Sequence, residues 1–381
     1  MQKSLFLPEP YYMNTRVLDA FFYLLRAGLW ADDDSPLVGS LRLNDSEWAE
    51  IHRIAREQSV TALVLDGVLC LDEAQLPSRM LLLRWTAELD AIENINLRMN
   101  EAIAALLRLF KRHGLHPVLL KGQGVAAHYA RPELRECGDI DLYFPHEGEL
   151  SEAEQIMHRF GISSQHDAEQ STHFVWQGFM VELHTALYDM KASCASRALS
   201  QPVWQRLQQF TVEGTDERID VPQAEACLAL LSTHVLKHVL GRGIGLRQFC
   251  DLARTYRAYH SPQHLEALST LYRQMHLTQW STLLHAFLHE RLGVPYDEMP
   301  AEQPATPPST DALLAIVLRG GNFGQYAHGK TNERSHNALV RKARTFLAFA
   351  QNVPFALHYA PHEALATFCA LLRGQHICVA L

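Results

Sequence analysis

Three short segments hold the residues whose types and spacing could do chemistry. They are Leu119-Leu-Lys-Gly-Gln-Gly124, Leu134-Arg-Glu-Cys-Gly-Asp-Ile-Asp-Leu-Tyr-Phe144 and Val181-Glu-Leu-His184. Residues two apart on a strand share a face. Asp139 and Asp141 therefore project side by side, while Ile140 and Leu142 turn to a core. Two carboxylates held this close repel unless a cation sits between them. A hard divalent ion resolves that conflict, and Mg²⁺ commonly completes its shell with water and substrate phosphates. The pair thus suggests a metal–nucleotide site. Glu182 stands between Val181 and Leu183 in the same alternation, with His184 on its own side. If its strand lies beside that of the aspartates, three carboxylates converge.

The glycines supply a second half. Lys121-Gly122-Gln-Gly124 is expected to leave a strand and open a helix. Bare amides at such a place bind phosphate oxygens, and glycine lets a ligand approach closely. Lys121 adds a positive charge, and Arg135, in the loop before Asp139, could add another. Gly138, beside the aspartates, joins Gly122 and Gly124 in this candidate nucleotide-binding set.

The elements that must position these residues follow from periodicity. A strand is expected over 116–121, a helix over 125–130, a strand over 139–144 and a helix over 150–160 closed by Gly161. Two further strands, 172–176 and 179–187, flank a turn at Gln177-Gly178. Upstream, Val17–Trp30 reads as a helix that ends at the Asp-rich stretch 31–36, and Asn44 with Glu47 forms a capping box. Apolar residues from Leu82 to Phe110 recur at steps of three and four, which predicts a long helix stopping at Gly114 with the whole stripe in the core. After residue 190 everything reads as helical, including 221–240, 246–259, 262–275, 278–292, 342–359 and 363–372, with a proline-rich loop between Pro300 and Pro308. The expected organisation is a helical region over 1–114, an α/β core over 115–190, a helical domain over 191–297 and a helical extension over 298–381.

Taken together, Leu-Leu-Lys-Gly, then Leu-Arg-x-x-Gly-Asp-Ile-Asp-Leu, then Val-Glu-Leu-His, resemble the uncharacterised nucleotidyltransferase family of the DNA polymerase β-like superfamily. The likeness runs over residues 45–290 and is sharpest over 117–187. It implies an α+β protein with the minimal nucleotidyltransferase fold: a small mixed sheet with flanking helices, embedded in a largely helical chain. It also implies Mg²⁺ (or Mn²⁺) as cofactor and an NTP as substrate. Asp139 and Asp141 match the family's metal pair, Glu182 its third carboxylate, and Lys121-Gly122 its opening turn in place of a Gly-Ser turn. Arg247, Asp251 and the glycine cluster 320–324 also look like segments of such proteins, with no role implied. The reaction implied moves a nucleoside monophosphate to a hydroxyl or phosphate of an acceptor. Glu182 would serve as a metal ligand or a general base. A catalytically silent nucleotide- or protein-binding scaffold is the alternative, and transfer of the terminal phosphate is a third reading.

Other readings compete for the same residues. Gly122-x-Gly124-x-x-Ala127 fits a relaxed dinucleotide fingerprint with Asp141 as its acid, but that fold needs a continuing βαβ series. His234 and His238 share a helix face at i, i+4, and their neighbours Cys227 and Leu230 favour packed core histidines over a metal pair. Arg247 and Asp251 have the spacing of an ordinary helix ion pair.

Composition narrows the partners. The 381 residues are 48% apolar and 20% charged, as in a globular chain with a sizeable core, which excludes disordered and fibrous classes. With 34 basic and 42 acidic side chains the net charge is −8, which argues against a long nucleic acid as the acceptor and favours a small molecule, sugar or protein. Seven scattered cysteines without a Cys-x-x-Cys fit a reducing cytoplasm rather than a zinc or disulfide framework. No run of apolar residues is long enough to span a membrane, and the opening Met1–Tyr12 lacks the apolar core of a secretory leader.

Overall fold

Asn44 opens a helix because its side chain accepts from the amides of Ser46 and Glu47, while Glu47 reaches back to the Asn44 amide at 2.9 Å. The resulting α2 (Asp45–Glu57) follows α1 (Thr15–Leu29) and precedes α3 (Thr61–Leu69) and the long α4 (Arg79–Arg112). These come from a computed structural model that describes residues 14–31, 41–166, 172–188, 193–241, 243–300, 306–322 and 338–372. Four stretches named above lie outside the described residues: the opening segment, most of the Asp-rich linker, part of the proline-rich loop, and the glycine cluster beyond Asn322.

Helix α4 stops where the sequence places its end, at Gly114 with φ 79°. Its apolar stripe is buried at Trp85, Leu89, Met99, Ile103, Leu106 and Phe110, but Ile95 is 42% exposed, against expectation. The helix changes partners there. Its first half packs on α3 and its second half on the sheet, and Asn96 and Asn100 turn inward between them.

The rest of the chain runs β1 (Val118–Leu120), α5 (Gln123–Ala126), β2 (Ile140–Tyr143), α6 (Glu149–Arg159), β3 (Gln165–His166), β4 (Thr172–Trp176), β5 (Phe179–His184), α7 (Cys194–Leu199), β6 (Leu207–Thr211) and β7 (Arg218–Pro222). Helices α8 (Ala224–Leu240), α9 (Leu246–Ala258), α10 (Pro262–Gln274), α11 (Thr278–Leu292), α12 (Asp311–Gly320), α13 (Ala338–Tyr359) and α14 (Pro361–Leu372) follow. The seven strands form one mixed sheet in the order β3-β4-β5-β2-β1-β7-β6. The protein is thus α+β.

Two expectations need correction. The chain beyond residue 190 is not wholly helical, because β6 and β7 form a hairpin and β7 pairs parallel with β1 at Val118 and Asp220. Period-two alternation at Phe210-Thr-Val212 and Ile219-Asp-Val221 around Gly214 is the signal that this reading missed by joining Val221 to the next helix. The helix expected over 125–130 is a single turn, α5. The chain then turns away so that Tyr129 and Arg135 meet α9, and Pro132, with no N–H to donate, begins a short 3₁₀ turn.

Strand parity places the core. Leu119, Ile140, Leu142, Val181 and Leu183 pack on Phe110 of α4 and Met157 of α6. Val118, Leu120 and Tyr143 belong to the second core, with α8 and α9. The polar residues of β2 and β5 therefore face α8 and α9. β1 and β2 are antiparallel, which excludes the parallel βαβ unit of a dinucleotide fold. No helix among the described residues is long and apolar enough to cross a membrane.

Leu142 lies directly beneath the polar face. Leu142→Ala should lower unfolding free energy by about 2–5 kcal/mol with an unchanged denaturant slope, measured by chemical denaturation.

Candidate active site

β2 and β5 run parallel with Asp141 opposite Glu182 and Tyr143 opposite His184. Neighbouring strands lie about 4.8 Å apart, so the two carboxylates rise side by side from one face. Asp139 is not on the strand but immediately precedes it, half-buried, two residues before Asp141. The sequence therefore brings its three acids to one face.

Lys121 and His184 answer the resulting repulsion. Lys121 Nζ lies 3.1 Å from Asp141 Oδ1, and His184 Nε2 donates to the same oxygen at 2.9 Å. His184 Nε2 is also 3.9 Å from Glu182 Oε2. Lys121 reaches this place from a bend in which it adopts φ 53°, rare for a residue with a Cβ, followed by Gly122 at φ 51° and ψ −124°. Glycine is needed at the second position because that combination is closed to L side chains.

Electrostatics follow from burial and neighbours. Burial alone would raise the Asp141 carboxyl, but Lys121 and His184 override it and hold the value down at about 2. Burial pushes Glu182 up to about 7, and the charges of Asp141 and Asp139 add to the rise. Burial and Asp141 raise Asp139 as well. The Lys121 ammonium is disfavoured by burial, yet Asp141 and Glu182 carry it above the ordinary lysine value.

Lys121, Asp139 and Asp141 border a cavity of about 50 Å³ between the sheet and helices α8 and α9, lined also by Gly122, Gly138, His234 and Arg247. That volume admits a few waters or an ion with a phosphate oxygen; nucleotide-sized pockets run to about 300–1,000 Å³. The base and sugar of a nucleotide must therefore lie beyond it.

The other expected residues fall differently. Arg135 is 4% exposed and forms a two-pronged bond to Asp251, Nε to Oδ1 at 2.7 Å and Nη2 to Oδ2 at 2.8 Å. Its charge lines the cavity but is matched by that carboxylate. The helix expected to offer amides at Lys121-Gly-Gln-Gly is only one turn long. Gly124 is explained by packing, because a Cβ there would come within 3.3 Å of Val221 on β7. Gly138 lies beneath the Arg247 guanidinium, 3.4 Å from where its Cβ would stand. His234 and His238 meet edge to face with ring centroids 4.5 Å apart, and burial drives both well below the usual imidazole value. Asp251, expected to pair within its own helix, accepts from Arg135 and from the Tyr129 hydroxyl at 2.7 Å.

The donor set fits a divalent cation. Ligand atoms of Asp141, Glu182 and His184 all lie within 4.8 Å of one another. The two carboxylates suit Mg²⁺ or Mn²⁺ when substrate phosphates complete the shell, whereas the imidazole is a donor preferred by softer divalent ions. This trio includes His184, to which the sequence reading gave no role, and not Asp139. The alternation Glu182-Leu-His184 was the signal available, since it puts both side chains on one face.

A mixed sheet that pairs Asp141 with a facing glutamate, beside a small cavity bordered by Lys121, Asp139 and Asp141, defines a candidate phosphoryl-transfer protein. The family relation is specific: residues 44–293, about two-thirds of the chain, match the model of a family described as an uncharacterised nucleotidyltransferase, and the protein belongs to that family. Membership supports a nucleotidyltransferase role. Neither a curated protein nor a solved structure matches the chain.

Because Glu182 is raised from 4.5 to about 7, it binds its proton more tightly folded than unfolded. Its contribution to stability is complete below the unfolded value and is lost as pH rises through about 7. Asp141, held at about 2, works the other way, and its contribution is lost only as pH falls towards that value. Buried histidines such as His234 and His238, lowered on folding, slope the other way over the same range, so the Glu182 contribution is read as a difference: in thermal melts of metal-free protein, the stability of wild type relative to Glu182→Gln should fall between pH 5 and 7.

Proposed function

We propose that the protein is a Mg²⁺-dependent nucleotidyltransferase that moves a nucleoside monophosphate from an NTP to a hydroxyl or phosphate of a small molecule, sugar or protein. The observation that carries this reading is the strand register that pairs Asp141 with Glu182 beside Lys121. Asp139, Asp141 and Glu182 would hold Mg²⁺ (or Mn²⁺), with His184 beside them. When bound, such an ion polarises the phosphoryl group and offsets charge on the leaving pyrophosphate.

The chain's own groups do the rest. Lys121, tied to Asp141 when no phosphate is present, is the cation best placed to meet the triphosphate. The Gly122 bend keeps backbone close to the same point. Glu182, with its value lifted to about 7, can take the proton of an acceptor hydroxyl near neutrality, or serve as a ligand. Arg135 contributes field rather than a free donor, given its bond to Asp251. Gly138 leaves room at the cavity's edge.

The acidic balance of −8 and the commitment of the local cations to acids or carbonyls favour a compact acceptor over a long polynucleotide. All six cysteines among the described residues are free, which suits a reducing compartment, the cytoplasm.

A test uses full-length protein, Mg²⁺, cell extract and NTPs labelled at the α or γ phosphate. Transfer of α-label should fall about 10³-fold or more in Asp141→Asn, a loss of about 4 kcal/mol of barrier reduction. Movement of γ-label instead would make the protein a kinase. NTP binding without turnover, unchanged by the substitution, would make it a scaffold.

A further inference from the structure

The loop that delivers Asp139 has little regular structure of its own. Between α5 and β2 its backbone bonds back to α5 through His128 N to Val125 O at 3.0 Å and Tyr129 N to Ala126 O at 2.9 Å, and then closes on itself in the short turn of Arg131–Arg135, through Leu134 N to Arg131 O at 3.0 Å and Arg135 N to Pro132 O at 3.2 Å. Buried backbone groups must nevertheless be satisfied. Here the partners come from α9, which lies more than a hundred residues downstream.

Helix α9 presents Arg247, Asp251 and Arg254 at steps of four and three, hence on one face, and all three are nearly fully buried. Arg247 Nη1 donates to the carbonyls of Glu136 at 2.8 Å and Cys137 at 3.0 Å. Asp251 accepts from Arg135 and Tyr129. Arg254 Nε donates to the His128 carbonyl at 2.7 Å. One polar stripe thus grips the loop at residues 128, 129, 135, 136 and 137.

The grip is anchored on both sides. The α9 amides of Leu246 and Arg247 donate to Gln58, at 3.1 Å to its side chain and 3.3 Å to its carbonyl. Gly245 is required there, since a Cβ would fall 2.9 Å from the Gln58 carbonyl oxygen. From the opposite side, Asn96 of α4 donates to the carbonyls of Glu133 at 2.8 Å and Arg135 at 3.0 Å, and the Thr61 amide donates to Glu136 Oε1 at 2.7 Å.

The geometry points to α9 as a clamp, with Arg247 as a positioning residue that fixes Glu136-Cys137-Gly138 and so sets where Asp139 stands beside Asp141. This rests on the metal-site reading above and extends it to residues outside the α/β core. Arg247 borders the cavity, but its Nη1 is spent on two carbonyls, so it acts through Asp139. A planar guanidinium fork suits two adjacent carbonyls better than an ammonium does.

Two measurements on full-length protein test the clamp. Mn²⁺ alone, titrated by electron paramagnetic resonance, should bind the wild type, and Asp141→Asn should abolish that binding. Arg247→Ala should weaken Mn²⁺ binding about 10-fold or more, as loss of outer-sphere support commonly does, and Arg247→Lys should lie between the two. In the absence of metal, amide exchange at 136–139 should quicken in Arg247→Ala, while β1 and β5 keep their protection. If Arg247→Ala proves unfolded in a thermal melt, Arg247→Lys carries both measurements. Wild-type Mn²⁺ affinity and unchanged exchange in the folded variants would overturn the clamp while leaving the metal site intact. A wild type that binds no Mn²⁺ would overturn the metal reading, and the exchange result would still decide whether α9 holds the loop. Weakened ATP binding with unchanged Mn²⁺ affinity would assign Arg247 to phosphate contact and reject the positioning role.

Discussion

The arrangement depends on one electrostatic conflict: Asp141 and Glu182 share one face of a sheet with Asp139 just before the strand, all three largely out of water. Coulomb repulsion at such distances is weak in bulk solvent and severe in a partly buried setting. The chain relieves it in two ways. Lys121 and His184 both bind Asp141 Oδ1, and Glu182 is pushed to a value near neutrality where it can hold a proton. The repulsion is thus reduced without an ion, in a form that a divalent cation could replace by displacing a proton and an ammonium. A surface with no such task has little reason to gather like charges and then oppose them with a lysine in an uncommon backbone conformation.

Strand parity makes the conflict possible and also keeps it in place. Ile140, Leu142, Val181 and Leu183 go into the core beneath, so Asp141 and Glu182 must come up together. A one-residue slip of either strand would turn the acids into the apolar core and the leucines onto the polar face, so the core itself enforces the register. Packing energy from the apolar face therefore maintains the costly geometry on the polar one.

That same parity is why much of the site was legible in the sequence. Alternation in Asp-Ile-Asp-Leu and Val-Glu-Leu-His states which residues share a face, and short apolar runs around them mark strands. The capping box at Asn44, the stop at Gly114 and the turn at Gln177-Gly178 are equally local and stand where they were expected. What escaped is non-local or weakly patterned. Nothing near Arg135 says that Asp251 will hold it, and nothing near Arg247 says that the carbonyls of Glu136 and Cys137 will be its acceptors. The i, i+4 spacing of Arg247 and Asp251 suggested a bond inside α9, whereas the tertiary fold gives Asp251 an arginine from a different segment. The β6–β7 hairpin was missed for another reason: its polar positions are as frequent as its apolar ones, and Val221 lies next to a strongly helical run.

The cations at the site bear on what it can accept. Overall charge says little about a local field, because a few lysines in a cleft can outweigh a distant acidic surface. Here, however, Lys121 is paired to Asp141, Arg135 to Asp251, and Arg247 donates to backbone carbonyls. A polynucleotide acceptor would need many cations facing outward to replace its counterions. The local pattern therefore agrees with the overall balance instead of opposing it. The charge available for exchange is concentrated at Lys121, at the edge of a small cavity and paired to a carboxylate that a more highly charged anion could replace.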